Sequence, residues 1–226
     1  MPHYRKGLIN MKKEFDRCPG TINEAELYGF SWMENVLAIP SPLVLVTSYK
    51  ENGKQNATMQ SWCTFTSDFT DDGGFYCIFS SVNKHTHMYS SVRQTKECVI
   101  NFPSKENFTK CMATIQNNSF EEDEITRAGL TAEPASKVNA PRVKECFLNL
   151  ECKYMWEKDL VPGGDHVVMC VKIVNICMDE EHYNAARKGR YGETGYLYNI
   201  HSPINPDTGE KQETGVGIIR DTVIDN

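Results

Sequence analysis

Apolar and β-branched residues alternate with turn residues through the middle of the chain, a pattern that predicts antiparallel strands. A first strand is predicted over Leu43 to Tyr49, just before Asn52-Gly53, a dipeptide typical of tight hairpins. The return strand is predicted from about Gln55 to Phe65. Gly73-Gly74 then turns the chain into a third strand, Phe75 to Ser80. Three antiparallel strands are thus predicted to follow one another in sequence.

Short amphipathic stretches interrupt the strands. Helices are predicted over Thr86 to Lys96, from Ser104 onward, over Glu121 to Ala128 before Gly129, and over Glu180 to Lys188. In the first of these, Met88 and Val92 fall four residues apart among polar residues, and in the second, Phe108, Met112 and Ile115 fall on one helical face. Further strands are predicted over Cys98 to Phe102, Cys146 to Trp156 and His166 to Met178. Leu130 to Arg142 is polar and proline-containing, and it is predicted to be a long excursion from the sheet.

About six strands with short helices at their ends predict a mainly β fold, a closed or nearly closed antiparallel barrel with Greek-key-like connections. Strict alternation of strand and helix is absent, and no G-x-G-x-x-G segment follows a strand. A doubly wound sheet with a Rossmann nicotinamide site is therefore not indicated. We expect an N-terminal extension over residues 1–39, one barrel domain over residues 40–190, and a loop-rich C-terminal arm over residues 191–226.

The charge balance bears on partners and location. The chain carries 30 acidic and 24 basic residues, a formal net charge of −6 at pH 7, which gives no general footprint for nucleic acid or an anionic membrane. No apolar run approaches the roughly 18 residues of a membrane-spanning helix, and the first residues lack the apolar core of a signal peptide. A soluble, cytoplasmic protein is therefore expected.

Nine cysteines are scattered singly along the chain, without a C-x-x-C motif or a histidine at zinc-finger spacing. Most of them, including Cys77, Cys98 and Cys170, sit within apolar strand-like runs. A free thiol in such a place behaves as a small buried hydrophobe. We therefore expect reduced, buried cysteines and no metal site.

A dense group of hydrogen-bond donors precedes the first predicted helix: Ser80, Ser81, Asn83, Lys84 and Thr86. Donors before a helix favour an anion, because the first N–H groups and the dipole of the helix point toward them. The alternative interpretation is an ordinary turn with Thr86 as an ordinary N-cap.

Several segments, in order along the chain, resemble one known family. They are Pro42 to Ser48, Asn56 to Trp62, Phe79 to Thr86, Val99 to Pro103, Arg127 to Thr131 with Lys137 to Pro141, and Gly164-Asp165-His166. Together they are similar to the flavin reductase-like proteins, a group that includes flavoredoxin. The resemblance spans roughly Pro40 to Met178 and leaves the two ends unmatched.

The resemblance implies a split β-barrel that binds FMN and pairs into a homodimer. FMN requires a cradle for its phosphate, hydrogen bonds to the polar edge of its ring, and apolar walls. By resemblance, cofactor-binding residues on the return strand are Ala57, Thr58, Met59, Gln60, Ser61 and Trp62. The others are Ser80, Ser81, Asn83, Lys84, Thr86 and Asn101, with the cluster before the helix holding the phosphate. For Trp62, packing in the core is an alternative.

His166 follows Gly164-Asp165 at the start of a predicted strand and is the predicted catalytic residue. From the donor side of the flavin, its imidazole could bond a nicotinamide amide. The alternative is a surface histidine or one satisfied within the protein.

The family resemblance implies an oxidoreductase that takes hydride from NADH or NADPH onto FMN. Two alternatives stay open: an FMN-bound electron carrier with a redox protein partner, and a non-catalytic flavin-binding protein. The chain carries no dinucleotide motif from which the donor could be identified.

Overall fold

Antiparallel strands dominate the computed structural model, which describes residues 12–21, 23–24, 32–116, 118–184, 189–200, 208–210 and 215–223. Within these residues the strands are β1 (Ser41–Pro42), β2 (Val44–Tyr49), β3 (Gln55–Gln60), β4 (Cys63–Asp68), β5 (Gly74–Asn83), β6 (Glu97–Phe102), β7 (Ala132–Pro134), β8 (Pro141–Val143), β9 (Leu148–Asp159), β10 (His166–Met178), β11 (Tyr198–Asn199) and β12 (Val216–Gly217). The helices are α1 (His87–Thr95), α2 (Phe108–Ala113), α3 (Glu124–Arg127) and α4 (Glu180–Asn184), with a π-type turn over Met33–Leu37 and a 3-10 turn over Lys105–Asn107.

Seven strands form one sheet in the order β3-β2-β6-β9-β10-β5-β4, and every neighbouring pair is antiparallel. The edges of this sheet are β3 and β4, yet only Ser61 and Trp62 separate them along the chain. Edges that lie two residues apart force the sheet to curl into a barrel. This agrees with the predicted mainly β, antiparallel fold.

The predicted single strand from Gln55 to Phe65 is wrong. Trp62 has a left-handed backbone with a φ of 52°, so β3 ends before it and the chain changes direction. β4 then pairs with β5 rather than extending the β2–β3 hairpin.

The barrel interior is filled by side chains from many strands, among them Val46, Ile100 and Met169. Helix α1 adds Met88 and Val92, both fully buried, as their four-residue spacing predicted. Alternate residues of a strand face opposite sides of a sheet. The interior set therefore uses only one face of β2.

The other face of β2 is buried as well. Leu45 joins Ala57 of β3 in a second apolar cluster with Ile125, Leu130 and Val143. Burial on both faces explains why the β2 sequence is a nearly continuous apolar run rather than an alternating one.

The predicted excursion contains a short hairpin, β7–β8, that folds back onto the barrel. Glu151 of β9 is fully buried and accepts the N–H groups of Ser136 at 2.9 Å and Lys137 at 2.6 Å. Burial alone raises the pKa of Glu151, but bonds from Ser136, Asn175 and Lys137 and the nearby Arg142 hold the pKa below its usual range. An ionised carboxylate thus fastens the excursion.

The helix predicted from Ser104 starts as a 3-10 turn before α2, and this turn rotates the face that α2 presents to the core. Cys111 is its buried residue, whereas Ile115 lies beyond the helix end and is exposed. The predicted apolar face is therefore wrong at Ile115, whereas Phe108 and Met112 lie four residues apart within α2 and are half-buried.

Helix α3 begins three residues later than predicted, after Asp123, whose side chain caps Thr126 N–H at 3.0 Å. It ends as predicted before Gly129, which has a φ of 68°. The last predicted helix is described as Glu180–Asn184, and residues 185–188 lie outside the described residues.

The cysteine prediction is confirmed for Cys77, Cys98 and Cys170, which are buried and free. Cys98 of β6 faces Cys152 of β9 directly across the sheet. Burial, followed by the neighbouring Cys98 thiol, raises the pKa of Cys152 well above its usual value, so this thiol stays protonated.

The C-terminal arm contributes β11 and β12, which complete a small three-stranded sheet with β1. Ser41 of β1 faces Asn199 of β11. No helix in the described part of the chain is long and apolar enough to cross a membrane.

Candidate functional site

A β-bulge places two serines side by side on the outside of the barrel. Along β5 and β10, Val82 pairs with Val167 and Phe79 with Met169. Ser80 and Ser81 therefore both lie opposite the single residue Val168 of β10. A bulge of this kind adds one residue to the strand and disturbs the regular alternation of its side chains. It therefore presents neighbouring hydroxyl and backbone groups to one surface.

Trp62 lies beside this bulge at the crossing between the two sheet edges. Its N–H binds the Ser41 hydroxyl at 3.1 Å, and its carbonyl accepts the N–H of Ser80 at 2.9 Å. The strained left-handed backbone of Trp62 is thus held by polar contacts on both sides. Such strain persists where the surroundings determine it and is concentrated at functional sites.

A surface cavity of about 460 Å³ opens at this corner. Its walls are Val36, Leu37, Ile39, Pro40, Ser41, Trp62, Ser80, Ser81 and Leu160. The lining is apolar except for three serines, which is the composition of a pocket that orients a flat, mostly apolar ligand through a few polar groups. We call it the serine corner.

The predicted phosphate residues continue from the serine corner to the start of α1. Thr86 is the N-cap of α1: its Oγ1 accepts the N–H of Tyr89 at 3.3 Å and donates to the carbonyl of Asn83 at 2.8 Å. The Asn83 side chain accepts the N–H of His85 at 2.8 Å. In this structure Asn83 and Thr86 therefore do what the alternative interpretation proposed, a turn and a cap.

Lys84 is engaged within the protein. Its ammonium lies 2.6 Å from Oδ1 of Asp159 and donates to the carbonyl of Gly164 at 2.8 Å. The hydrogen bond to Asp159 raises the pKa of Lys84, and the same bond lowers the pKa of Asp159. An ammonium has three donors, so one N–H of Lys84 is left for an anion beside these two.

His166 is brought next to the phosphate residues. It pairs with Asn83 across β10 and β5, and the backbone N–H of Lys84 donates to the carbonyl of Asp165 at 2.8 Å. His85 Nε2 and Asp165 Oδ1 are 3.1 Å apart, a second tie between the two turns. His166 thus lies beside the residues predicted to hold a phosphate.

The residues predicted on β3 are held from behind by a buried ion pair that the sequence did not reveal. Ala57 is fully buried, and its N–H donates to Oε2 of Glu124 at 2.6 Å. Lys50 lies 2.9 Å from the other oxygen of Glu124, with both side chains 1% exposed. His87 approaches the same oxygen at 3.8 Å. No local pattern links Lys50 to Glu124, because they are far apart in sequence.

The other residues predicted on this strand, Thr58, Met59, Gln60 and Ser61, are half-buried. Ser61 accepts a hydrogen bond from the amide of Asn199 at 2.8 Å. The C-terminal arm therefore contacts the crossing segment directly.

Asn101 does not join the candidate site. It is fully buried, and its amide donates to the carbonyl of Leu45 at 2.9 Å and to the Thr47 hydroxyl at 3.0 Å. Its oxygen accepts the N–H of Val143 at 3.0 Å and the amide of Asn149 at 2.9 Å. All its polar atoms bond within the protein, so the cofactor role predicted for Asn101 is wrong.

Residues 36–198 match the sequence model of the family described as the flavin reductase like domain. An uncharacterized protein of Aquifex aeolicus (strain VF5) is 29% identical over 170 residues, covering 73% of this chain and 85% of that protein. The serine corner, the turn before α1 and His166 all lie within the matched residues.

Two solved structures share the fold. Nitrilotriacetate monooxygenase component B from Bacillus cereus aligns with a TM-score of 0.69 at 15% identity, covering 95% of this chain and all of that one. Flavoredoxin of Desulfovibrio vulgaris (Miyazaki F) aligns with a TM-score of 0.60 at 17% identity, covering 83% of this chain and 91% of that one.

Proposed function

Because this chain belongs to the flavin reductase like domain family and has its split-barrel fold, we propose that it is an FMN-dependent oxidoreductase supplied with electrons by NADH or NADPH. The family implies a flavin cofactor. FMN as that flavin and a nicotinamide as the donor are the parts that need support from this chain's own residues.

The serine corner is the observation that carries the proposal. It joins a strained residue, a bulge and an apolar pocket at one point of the barrel. Ile39 and Leu160 offer apolar contact to a ring, while the Ser81 hydroxyl and the bulged backbone offer hydrogen bonds to a polar edge. Bound FMN supplies hydride and electron transfer, and the chain supplies orientation and shelter from solvent.

The turn from Asn83 to Thr86 is the proposed phosphate site. The first N–H groups of α1 have no partners within the helix and point toward this turn. Lys84 adds a charge with one remaining donor, although Asp159 competes for that charge. The donor set therefore fits a phosphate that shares Lys84 with Asp159.

The proposed role of His166 is to act on the nicotinamide donor. Its pairing with Asn83 supports contact with a phosphate of the flavin as well as with the donor. Reduction kinetics and flavin affinity must therefore be measured separately.

We propose that a second copy of the chain covers the serine corner. Apolar side chains stand exposed beside it on the β9–β10 hairpin, including Trp156 at 48% and Leu160 at 54% exposure. Pairing of two such surfaces would bury them together with the open side of the pocket. The Leu130 to Arg142 excursion is polar and is fastened to its own barrel by Glu151.

One experiment separates the reductase from its alternatives. The purified protein is examined by visible absorption, and NADH and then NADPH are added without oxygen. A yellow protein bleached by either nicotinamide supports the reductase, and one that stays oxidised until a reduced redox protein is added supports an electron carrier. A protein that binds neither FMN nor another flavin contradicts the proposal. The carrier is the second candidate because the structure aligns with a flavoredoxin.

A further inference from the structure

A larger cavity, of about 730 Å³, approaches the serine corner at β1, where Pro42 lines the cavity and Ser41 lines the serine corner. Its lining includes Phe65 of β4, Phe75 of β5, Phe102 of β6 and Ile173 of β10. Neighbouring residues of a strand face opposite sides, so β1 stands between the two spaces at Ser41 and Pro42. This barrel-mouth cavity is therefore separate from the serine corner.

The wall of the barrel-mouth cavity is aromatic and partly exposed. Phe102 packs against Phe65 at 5.7 Å and edge-on against Tyr196 at 5.2 Å between ring centres. Around them, Phe75 is 55% and Ile176 is 63% exposed, although both line the cavity. Apolar side chains left in contact with water around a concave space favour a ligand that removes that water.

Besides Arg190, the polar groups of the cavity are the phenols of Tyr183 in α4 and of Tyr196 and Tyr198 in the C-terminal arm. Tyr196 and Tyr198 line it, and burial raises the pKa of both phenols, so they are neutral hydrogen-bond donors at neutral pH. No hydrogen bond of either hydroxyl occurs within the described residues.

Arg190 is the single charged residue in the described lining of this cavity. Its guanidinium stacks on Tyr191 at 5.8 Å, and no carboxylate lies within ion-pair distance of it in the described part of the chain. By contrast, Arg220 of the C-terminal arm is paired with Glu193 at 2.8 Å. A guanidinium at the rim of an apolar space is matched by a planar anion such as a carboxylate.

We propose that the barrel-mouth cavity binds a small hydrophobic carboxylate, with its alkyl or aromatic body against Phe65, Phe75 and Phe102 and its carboxylate on Arg190. Tyr196 and Tyr198 donate the additional hydrogen bonds. This binding site is independent of the proposed flavin chemistry, since none of its residues line the serine corner.

Calorimetric titration of the full-length protein, as isolated, tests the proposal. Octanoate and 1-naphthoate are the two anionic probes, and 1-octanol and 1-naphthalenemethanol are their uncharged counterparts. At least one carboxylate should bind, more tightly than its alcohol, and the better of the two identifies an alkyl or an aromatic body. Failure of both carboxylates to bind with a Kd below about 1 mM would overturn the proposal.

Two variants locate the binding. Arg190→Gln should weaken the carboxylate about tenfold or more and leave the alcohol unchanged, whereas Arg220→Gln, a matched loss of charge outside the lining, should alter neither. Ile176→Trp fills the cavity from an exposed position and should weaken all probes. Unchanged binding in Arg190→Gln or Ile176→Trp would exclude this cavity. Because the readout is heat rather than flavin reduction, binding at this site can be confirmed or excluded even in a protein that holds no flavin.

Discussion

The backbone carbonyl of Trp62 accepts two hydrogen bonds from Ser80, one from the N–H at 2.9 Å and one from the hydroxyl at 2.7 Å. These bonds join the crossing between the sheet edges to the bulge on β5. They hold the strained tryptophan against the wall of the proposed flavin pocket.

Ser80→Ala removes one of these two bonds and leaves the other. The free energy of unfolding should fall by about 1 kcal/mol, the usual contribution of one hydrogen bond, while FMN affinity falls about fivefold because the pocket wall is less well held. Urea denaturation and fluorescence titration with FMN measure the two effects. Ser67→Ala on β4, exposed and outside the serine corner, is the control. A Ser80→Ala protein that loses stability but keeps its full FMN affinity would place the flavin elsewhere.

Substitutions at Lys84 and Asp159 should change FMN affinity in opposite directions. Lys84→Ala should weaken FMN about tenfold or more, while Asp159→Asn should strengthen FMN binding because the competing carboxylate is gone. Riboflavin, which lacks the phosphate, should respond to neither change. High salt should weaken FMN binding to the unmodified protein more than to Lys84→Ala. FMN and riboflavin bound with equal affinity would contradict a phosphate site here.

His166→Ala should slow the anaerobic reduction of bound FMN by a nicotinamide about tenfold, with FMN affinity nearly intact. Stopped-flow absorbance measures the reduction, and dithionite must still reduce the variant at the normal rate. Loss of FMN affinity instead would assign His166 to the phosphate end of the flavin site. A variant that only melts at a lower temperature would leave this histidine a structural role.

The homodimer should depend on the apolar surface of the β9–β10 hairpin. Trp156→Glu and Leu160→Glu should each give a monomer by sedimentation and lower FMN content, because a charge in a buried contact is costly. Phe69→Glu replaces another exposed aromatic residue and should keep the dimer. A monomeric unmodified protein that holds stoichiometric FMN would refute the shared pocket.

Glu151 should make stability depend on acid pH. Its pKa is lower in the folded state than in the unfolded chain, so its contribution is present above the unfolded value and is lost as pH falls through the folded one. The free energy of unfolding should therefore drop as pH falls below the unfolded pKa of a glutamate, about 4.3. Glu151→Gln should be less stable at pH 7 and show a shallower drop. Glu51→Gln, at an exposed carboxylate, should follow the unmodified protein.

The apolar pattern predicted the strands well because burial of side chains determines both the pattern and the positions of the strands. His166–Met178 has the predicted bounds, and the predicted spacing of Met88 and Val92 places both in the barrel interior. The left-handed turn at Trp62 escaped prediction because a non-glycine residue there is held by Ser41 and Ser80, which are distant in sequence. The residues next to Trp62 in the sequence do not reveal these distant contacts.

Contacts between residues distant in sequence also limited the prediction of the candidate site. A polar residue in an apolar strand can hold a ligand or complete an internal network, and Asn101 does the latter. Lys84 was identified from its neighbours, but Asp159, which competes for its charge, lies on a different hairpin. Arg190 belongs to a segment without a recognisable motif, and only the folded structure brings it to the barrel-mouth cavity.

The two-residue crossing at Ser61 and Trp62 also bears on how the chain folds. The edge hairpins β2–β3 and β4–β5 pair residues close in sequence, so they can form early and independently. The pairings that unite them are long-range, such as Leu45 with Asn101 and Phe79 with Met169. High contact order slows folding, so the rate should be limited by docking of β6, β9 and β10 between two preformed hairpins that the crossing keeps tethered.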